Sequence, residues 1–189
     1  MFRFCAIAVV LSGLTSPAYS QNNLRAAPST HAIAEVQLLP SDQGLQPATP
    51  KVIRIDYGVP HLRGRMLHTD SLVPYDKPWR LGANAATRLT TDVDIVLGGK
   101  TITKGTYVLF AVPSRASWQL IVQKNQDSPE VTYEASNDLM KIELKRTTLA
   151  APTESLSIAF LPVPNAVPAR GELRVSWGTS LVTTDWSVK

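Results

Sequence analysis

Between Leu72 and Leu89 the chain reads LVPYDKPWRLGANAATRL, a window holding two aromatics, two arginines, two prolines, a glycine and an asparagine. Arginine presents five donors in a planar fork that suits carboxylates, phosphates and paired sugar hydroxyls, and tyrosine and tryptophan supply flat faces on which a sugar ring can stack. Asparagine adds a donor group and an acceptor. With Arg65 just upstream, Tyr75, Trp79, Arg80 and Asn84 are the candidate ligand-binding residues, expected on strand-linking loops around a polar cleft with an aromatic wall. A structural reading competes for the same residues. In it Tyr75 and Trp79 cap the core, Arg80 pairs with Asp76 or holds buried carbonyls, and Gly82 and Asn84 only turn the chain. For Arg80 the expectation is the buried pair, because WRLGAN leads into a turn where strict strand alternation fails.

The remaining constellations carry less chemistry. His61 and His68 with Asp70 are residue types that ligate zinc or iron, but a seven-residue spacing does not place two histidines on one face of a strand. They are read as two exposed loop histidines, and no metal or cofactor is expected. No G-x-S-x-G nucleophile elbow is present, and Gly98 and Gly99 sit in a hairpin pattern rather than before a helix, so no phosphate-cradling loop is expected.

These residues must be positioned by the chain that follows its first twenty positions. MFRFCAIAVVLSGLTSPAYS has one early charge at Arg3, an uncharged apolar stretch from Phe4 to Leu14, Pro17, and small residues at Ala18 and Ser20. That is the pattern of a secretory signal peptide, cut between Ser20 and Gln21, and its apolar stretch is about half the roughly 20 residues that a spanning helix needs. Removing Arg3 with it leaves 18 basic and 15 acidic residues, a net charge of +3. The only cysteine, Cys5, leaves as well, so no disulfide and no thiolate chemistry remain. The basic residues are scattered singly, which argues against a nucleic-acid partner. A periplasmic or secreted location is expected, with no transmembrane segment after cleavage.

Residues 21–30 read as a flexible lead-in and residues 31–189 as one domain. From His31 onward, short runs rich in Val, Ile, Thr and aromatics recur between Gly, Pro, Asn and Asp: KVIRIDYGV, TRLTTDVDIVL, KTIT, TYVLFAV, WQLIVQK, LMKIELK, ESLSIAFL, ELRVSW and LVTTDW. Val93, Ile95 and Leu97 share one strand face, as do Met140, Ile142 and Leu144. Gly98–Gly99 suits a two-residue hairpin turn, and Pro113 to Ser117 a longer one. The 14 prolines leave no room for long helices. EASNDLM and the stretch from Pro74 to Ala86 are the candidates for short ones. The fold class is therefore all-β, a single antiparallel β-sandwich of jelly-roll type with at most short helices.

The segment from residue 51 to 125 resembles the secreted bacterial proteins grouped as domain of unknown function 2911. The resemblance rests on Tyr57 and Pro60, Gly64–Arg65, LVPY at Leu72–Tyr75, Trp79–Arg80, GAN at Gly82–Asn84 with Thr87, and on Gly99, Gly105, Tyr107, Leu109 and Pro113. It implies an all-β domain and, because the family's activity is unassigned, no reaction. Members commonly carry GANEAT, so Ala85 stands where they have a glutamate. That departure removes a candidate acid or base, and it leaves Arg65 and Arg80 looking to Asp76 or another acid for a partner. The expected role is a binding or accessory module for an extracytoplasmic ligand such as a carbohydrate or cell-envelope component. The alternatives are a cell-envelope hydrolase or lyase using Tyr75, Asp76 and Arg80, and a purely structural interaction protein.

Overall fold

The computed structural model describes residues 24–41, 49–126 and 128–189. The expected signal segment, residues 1–20, lies outside them, as do the first three residues of the lead-in.

Among the described residues there are nine strands: β1 (Thr30–Leu38), β2 (Lys51–Val59), β3 (Arg88–Thr91), β4 (Ile95–Leu97), β5 (Lys100–Ile102), β6 (Gly105–Pro113), β7 (Ser117–Lys124), β8 (Asp138–Pro162) and β9 (Arg170–Val188). They form one hydrogen-bonded antiparallel sheet in the order β1-β2-β3-β6-β7-β8-β9-β4-β5. The all-β, antiparallel expectation holds at this level. LMKIELK and ESLSIAFL, read as separate runs, belong to one 25-residue strand, and ELRVSW and LVTTDW to one of 19. The breakers at the join, Pro152 in β8 and Gly178 in β9, do not end the strands. They sit where the β8–β9 register shifts, between Thr148 and Thr153 and again before Ser157, and Gly178 adopts φ 58° opposite Thr153. A bulge of this kind bends a strand without ending it.

The bend lets the sheet curl. β1 and β2 contact β8, although neither lies beside it in the sheet order. The Tyr57 hydroxyl accepts a hydrogen bond from the Ile158 N–H at 3.1 Å. Inside the curl lies the main core, built from alternate residues of each strand: Ile53, Ile55 and Tyr57 of β2, Ile142 and Leu144 of β8, and Leu173, Val175 and Trp177 of β9. The unbroken apolar runs of β6 and β7 have a different cause. Leu109 and Ala111 face the main core, while Val108, Phe110 and Ile121 face a second cluster covered by Val131 and Tyr133. A strand buried on both faces has no polar positions to alternate with.

The Gly98–Gly99 turn, with φ of 55° and 78°, closes the β4–β5 hairpin as its sequence requires. EASNDLM contributes one turn of 3-10 helix at Ala135–Asn137. The stretch from Pro74 to Ala86 is not helical. It is a chain of turns and bends, because Pro74 and Pro78 remove donors and Asp76, Leu81 and Asn84 all take left-handed φ between 51° and 60°. Among the described residues no helix is long and apolar enough to cross a membrane.

Candidate functional site

The candidate residues all lie on the long connection from Pro60 to Thr87, between β2 and β3. Irregular chain of this length must satisfy its backbone groups elsewhere. Leu62 N–H donates to the Glu154 carbonyl at 2.8 Å, Asp76 N–H to Pro113 at 2.8 Å, and Ala83 N–H to Gly58 at 3.1 Å. Trp79 and Ala111 exchange backbone hydrogen bonds at 2.8 and 2.7 Å, which makes Trp79 a one-residue neighbour of β6 beyond the end of β3. The Thr87 hydroxyl, fully buried, donates to the Leu81 carbonyl at 3.0 Å and closes the loop.

The connection separates the five candidates. Arg65 and Tyr75 line one open cleft of about 650 Å³, together with Leu62, Met66, His68, Arg115 and Glu154. Trp79 turns into the core instead, stacked on Trp177 at 5.6 Å and edge-on to Trp118 at 6.2 Å. Arg80 is exposed, and its guanidinium donates to the Asn84 carbonyl at 2.8 Å. The expected buried pair is therefore absent: Trp79 takes the inward position, so its neighbour points outward. Asn84 is exposed with φ 60°, its amide 3.5 Å from the Ser29 carbonyl. Asp76 is exposed too, and among the described residues no ion pair joins it to Arg65 or Arg80. Ala85 shares a shallow pocket with Arg88 and Asn125, so Arg88, rather than Arg65 or Arg80, is the arginine beside the position of the family glutamate.

Within the cleft, the Tyr75 ring has two partners. Its ring stacks on His68 at 4.1 Å, and the Arg115 guanidinium lies 4.9 Å over the ring. Arg65 is oriented by its own loop: Nε donates to the Leu62 carbonyl and Nη2 to the His61 carbonyl, both at 2.8 Å. Glu154 accepts the Arg63 N–H at 2.6 Å.

Neither histidine is the exposed loop residue that the sequence suggested. His61 is half-buried with Nδ1 2.7 Å from the Ser155 hydroxyl. His68 is half-buried with Nδ1 3.1 Å from the Val73 carbonyl and Nε2 3.3 Å from the Ser180 hydroxyl. A carbonyl only accepts, so Nδ1 carries the proton and Nε2 accepts from Ser180. Burial pushes the His68 pKa below its ordinary value, the Arg146 and Arg115 charges push it the same way, and the Val73 contact opposes them. The net effect favours the neutral imidazole. Among the described residues no three His, Cys, Asp or Glu side chains converge as a metal site would require.

Sequence reasoning missed His68, Arg115 and Glu154 as cleft residues. Arg115 stands on the three-residue turn between β6 and β7, 40 positions from Tyr75, and the ties from Asp76 to Pro113 and from Trp79 to Ala111 bring the two segments together. No local signal announces that contact.

A family model described as a protein of unknown function (DUF2911) matches residues 40–185, well beyond the segment that carries the sequence resemblance. No curated protein and no solved structure matches the chain.

Proposed function

The chain belongs to the DUF2911 family, which has no assigned function, and on that premise we propose that it is an extracytoplasmic binding module whose ligand is a carbohydrate or cell-envelope component held in the Arg65–Tyr75 cleft. The observation that carries this reading is the cleft itself. An aromatic ring clamped at the rim, an arginine preset by two backbone carbonyls and an apolar floor of Leu62 and Leu67 are the parts from which a preorganised site is made. Export follows from the signal pattern of residues 1–20, with the mature chain starting at Gln21 and working in the periplasm or outside the cell. As part of the same reading, the curled sheet acts as a sandwich, its two halves clasping the core and leaving the β2–β3 connection free to form the site.

The hydrolase or lyase alternative needs Tyr75, Asp76 and Arg80 to converge, and Arg80 is engaged at Asn84. Binding asks only for the cleft. A thermal-shift panel of glycans and envelope fragments tests it. A ligand at 100 times its Kd adds about 2.7 kcal/mol, roughly 5 to 10 °C for a chain of this size. At least one compound should produce such a shift in the wild type and none in a folded Tyr75→Ala protein. A panel that shifts neither protein, or both equally, would refute the proposal.

A further inference from the structure

Positive charge around the cleft is only partly compensated. Arg65 and Arg115 line it, and Arg146 of β8 stands behind Arg115, donating from Nη1 to the Arg115 carbonyl at 3.0 Å. Among the described residues none of the three forms an ion pair. The one acid in the wall, Glu154, accepts the Arg63 N–H and offsets one of these charges, while burial and the same arginines disfavour a charged His68. Donors are left over as well. Arg65 uses two of its five N–H groups on carbonyls. The Arg115 guanidinium rests on Tyr75 with no hydrogen bond among the described residues, and the Nε of Arg146 is buried without a partner. Arg146 does not line the cleft, so it adds positive field there rather than a donor, and an anion in the cleft would meet the remaining N–H groups of Arg65 and Arg115.

We propose that the ligand of this cleft is an acidic sugar, its carboxylate or phosphate received by Arg115 and Arg65 and its ring lying along Tyr75. The proposal rests on the binding reading above and narrows it to one charge class. Arg115 moves from the Tyr75 face to the anion, trading a cation–π contact for a charge-assisted pair and baring the tyrosine ring for the sugar. A second cleft on the molecule marks the contrast. There, along β9, Arg170, Glu172, Arg174 and Asp185 are mixed in sign, and Arg174 is already bonded to Glu172, so no net demand for an anion exists.

Three probes built on one pyranose separate the outcomes: N-acetylglucosamine, its lactyl ether N-acetylmuramic acid, and N-acetylglucosamine 6-phosphate. Titration calorimetry of the full mature chain in 50 mM salt should give at least tenfold tighter binding for one of the two anions than for the neutral sugar, and the tighter of the two identifies the acidic group. That preference should fall to within about twofold in Arg115→Gln, return in part in Arg115→Lys, and persist in Arg174→Gln. Neutral and acidic sugars binding equally well would overturn the charge assignment while leaving the cleft as a binding site. So would a preference that survives Arg115→Gln. Binding of none of the three would overturn the cleft reading and this inference with it.

Discussion

Tyr75 and Trp79 stand four residues apart in the same aromatic window, yet the fold uses them in opposite ways. Trp79 trades backbone hydrogen bonds with Ala111, and residues facing one another across an antiparallel pair share a side of the sheet. Ala111 faces the main core, so Trp79 does too, between Trp118 and Trp177, which are each 1 % exposed. Tyr75 lies before that bridge, flanked by Pro74 and by the left-handed Asp76, where no ladder dictates its direction. It turns to the rim, between His68 and Arg115. The residue types of the two are nearly interchangeable. What separates them is one exchanged pair of backbone hydrogen bonds.

Substitutions at the two aromatics can break or sharpen that contrast. Trp79→Ala removes an indole from between two core tryptophans and should cost about 3 kcal/mol in a denaturant melt. Tyr75→Ala should cost about 1 kcal/mol and act on ligand binding instead. Equal losses of stability at the two positions would erase the distinction.

His68 sharpens it further, because it joins the cleft to the core through Tyr75 on one side and Trp118 on the other. Its folded pKa lies below the ordinary value of about 6.5, so as pH falls the unfolded chain takes up the proton first. The stability it contributes is complete above about pH 6.5 and is lost as pH falls toward the folded pKa. The groups that face it, Arg115, Arg146, Tyr75 and Ser180, include no carboxylate to reverse that sign. Melting temperature should drop between pH 7.5 and 5.5 in the wild type and drop less in His68→Gln. The smallest effect belongs to Arg80. Arg80→Ala should change stability by about 0.5 kcal/mol or less, since the side chain is exposed and loses one hydrogen bond to a solvent-facing carbonyl. A larger loss would restore the buried pair that WRLGAN suggested.

Strand content was legible because alternation is local: Ile53 and Ile55, or Ile142 and Leu144, announce a half-buried strand from five residues of context. The sheet order was not. The β4–β5 hairpin docks on the far end of β9, pairing Leu97 with Trp186, and nothing near Leu97 records that partner. The two long strands were read as four because TTLAAPT loses its alternation where the register shifts, so the bulge looked like a loop. In the candidate site the residue types drew attention to the right segment, and Arg65 and Tyr75 do share a cleft. Their partners were hidden by distance along the chain. His61 meets Ser155 94 residues away and His68 meets Ser180 112 residues away, and these contacts turn two apparently free histidines into fixed ones.

The division of the window into a core plug and a ligand cleft is tested most directly by amide chemical-shift mapping of the isotope-labelled mature protein titrated with the tighter-binding of N-acetylmuramic acid and N-acetylglucosamine 6-phosphate. The account predicts saturable shifts at Arg65, Met66, His68, Tyr75 and Arg115, with Arg80 and Asn84 unmoved. Shifts centred on Arg80 and Asn84, or none at the cleft, would contradict it.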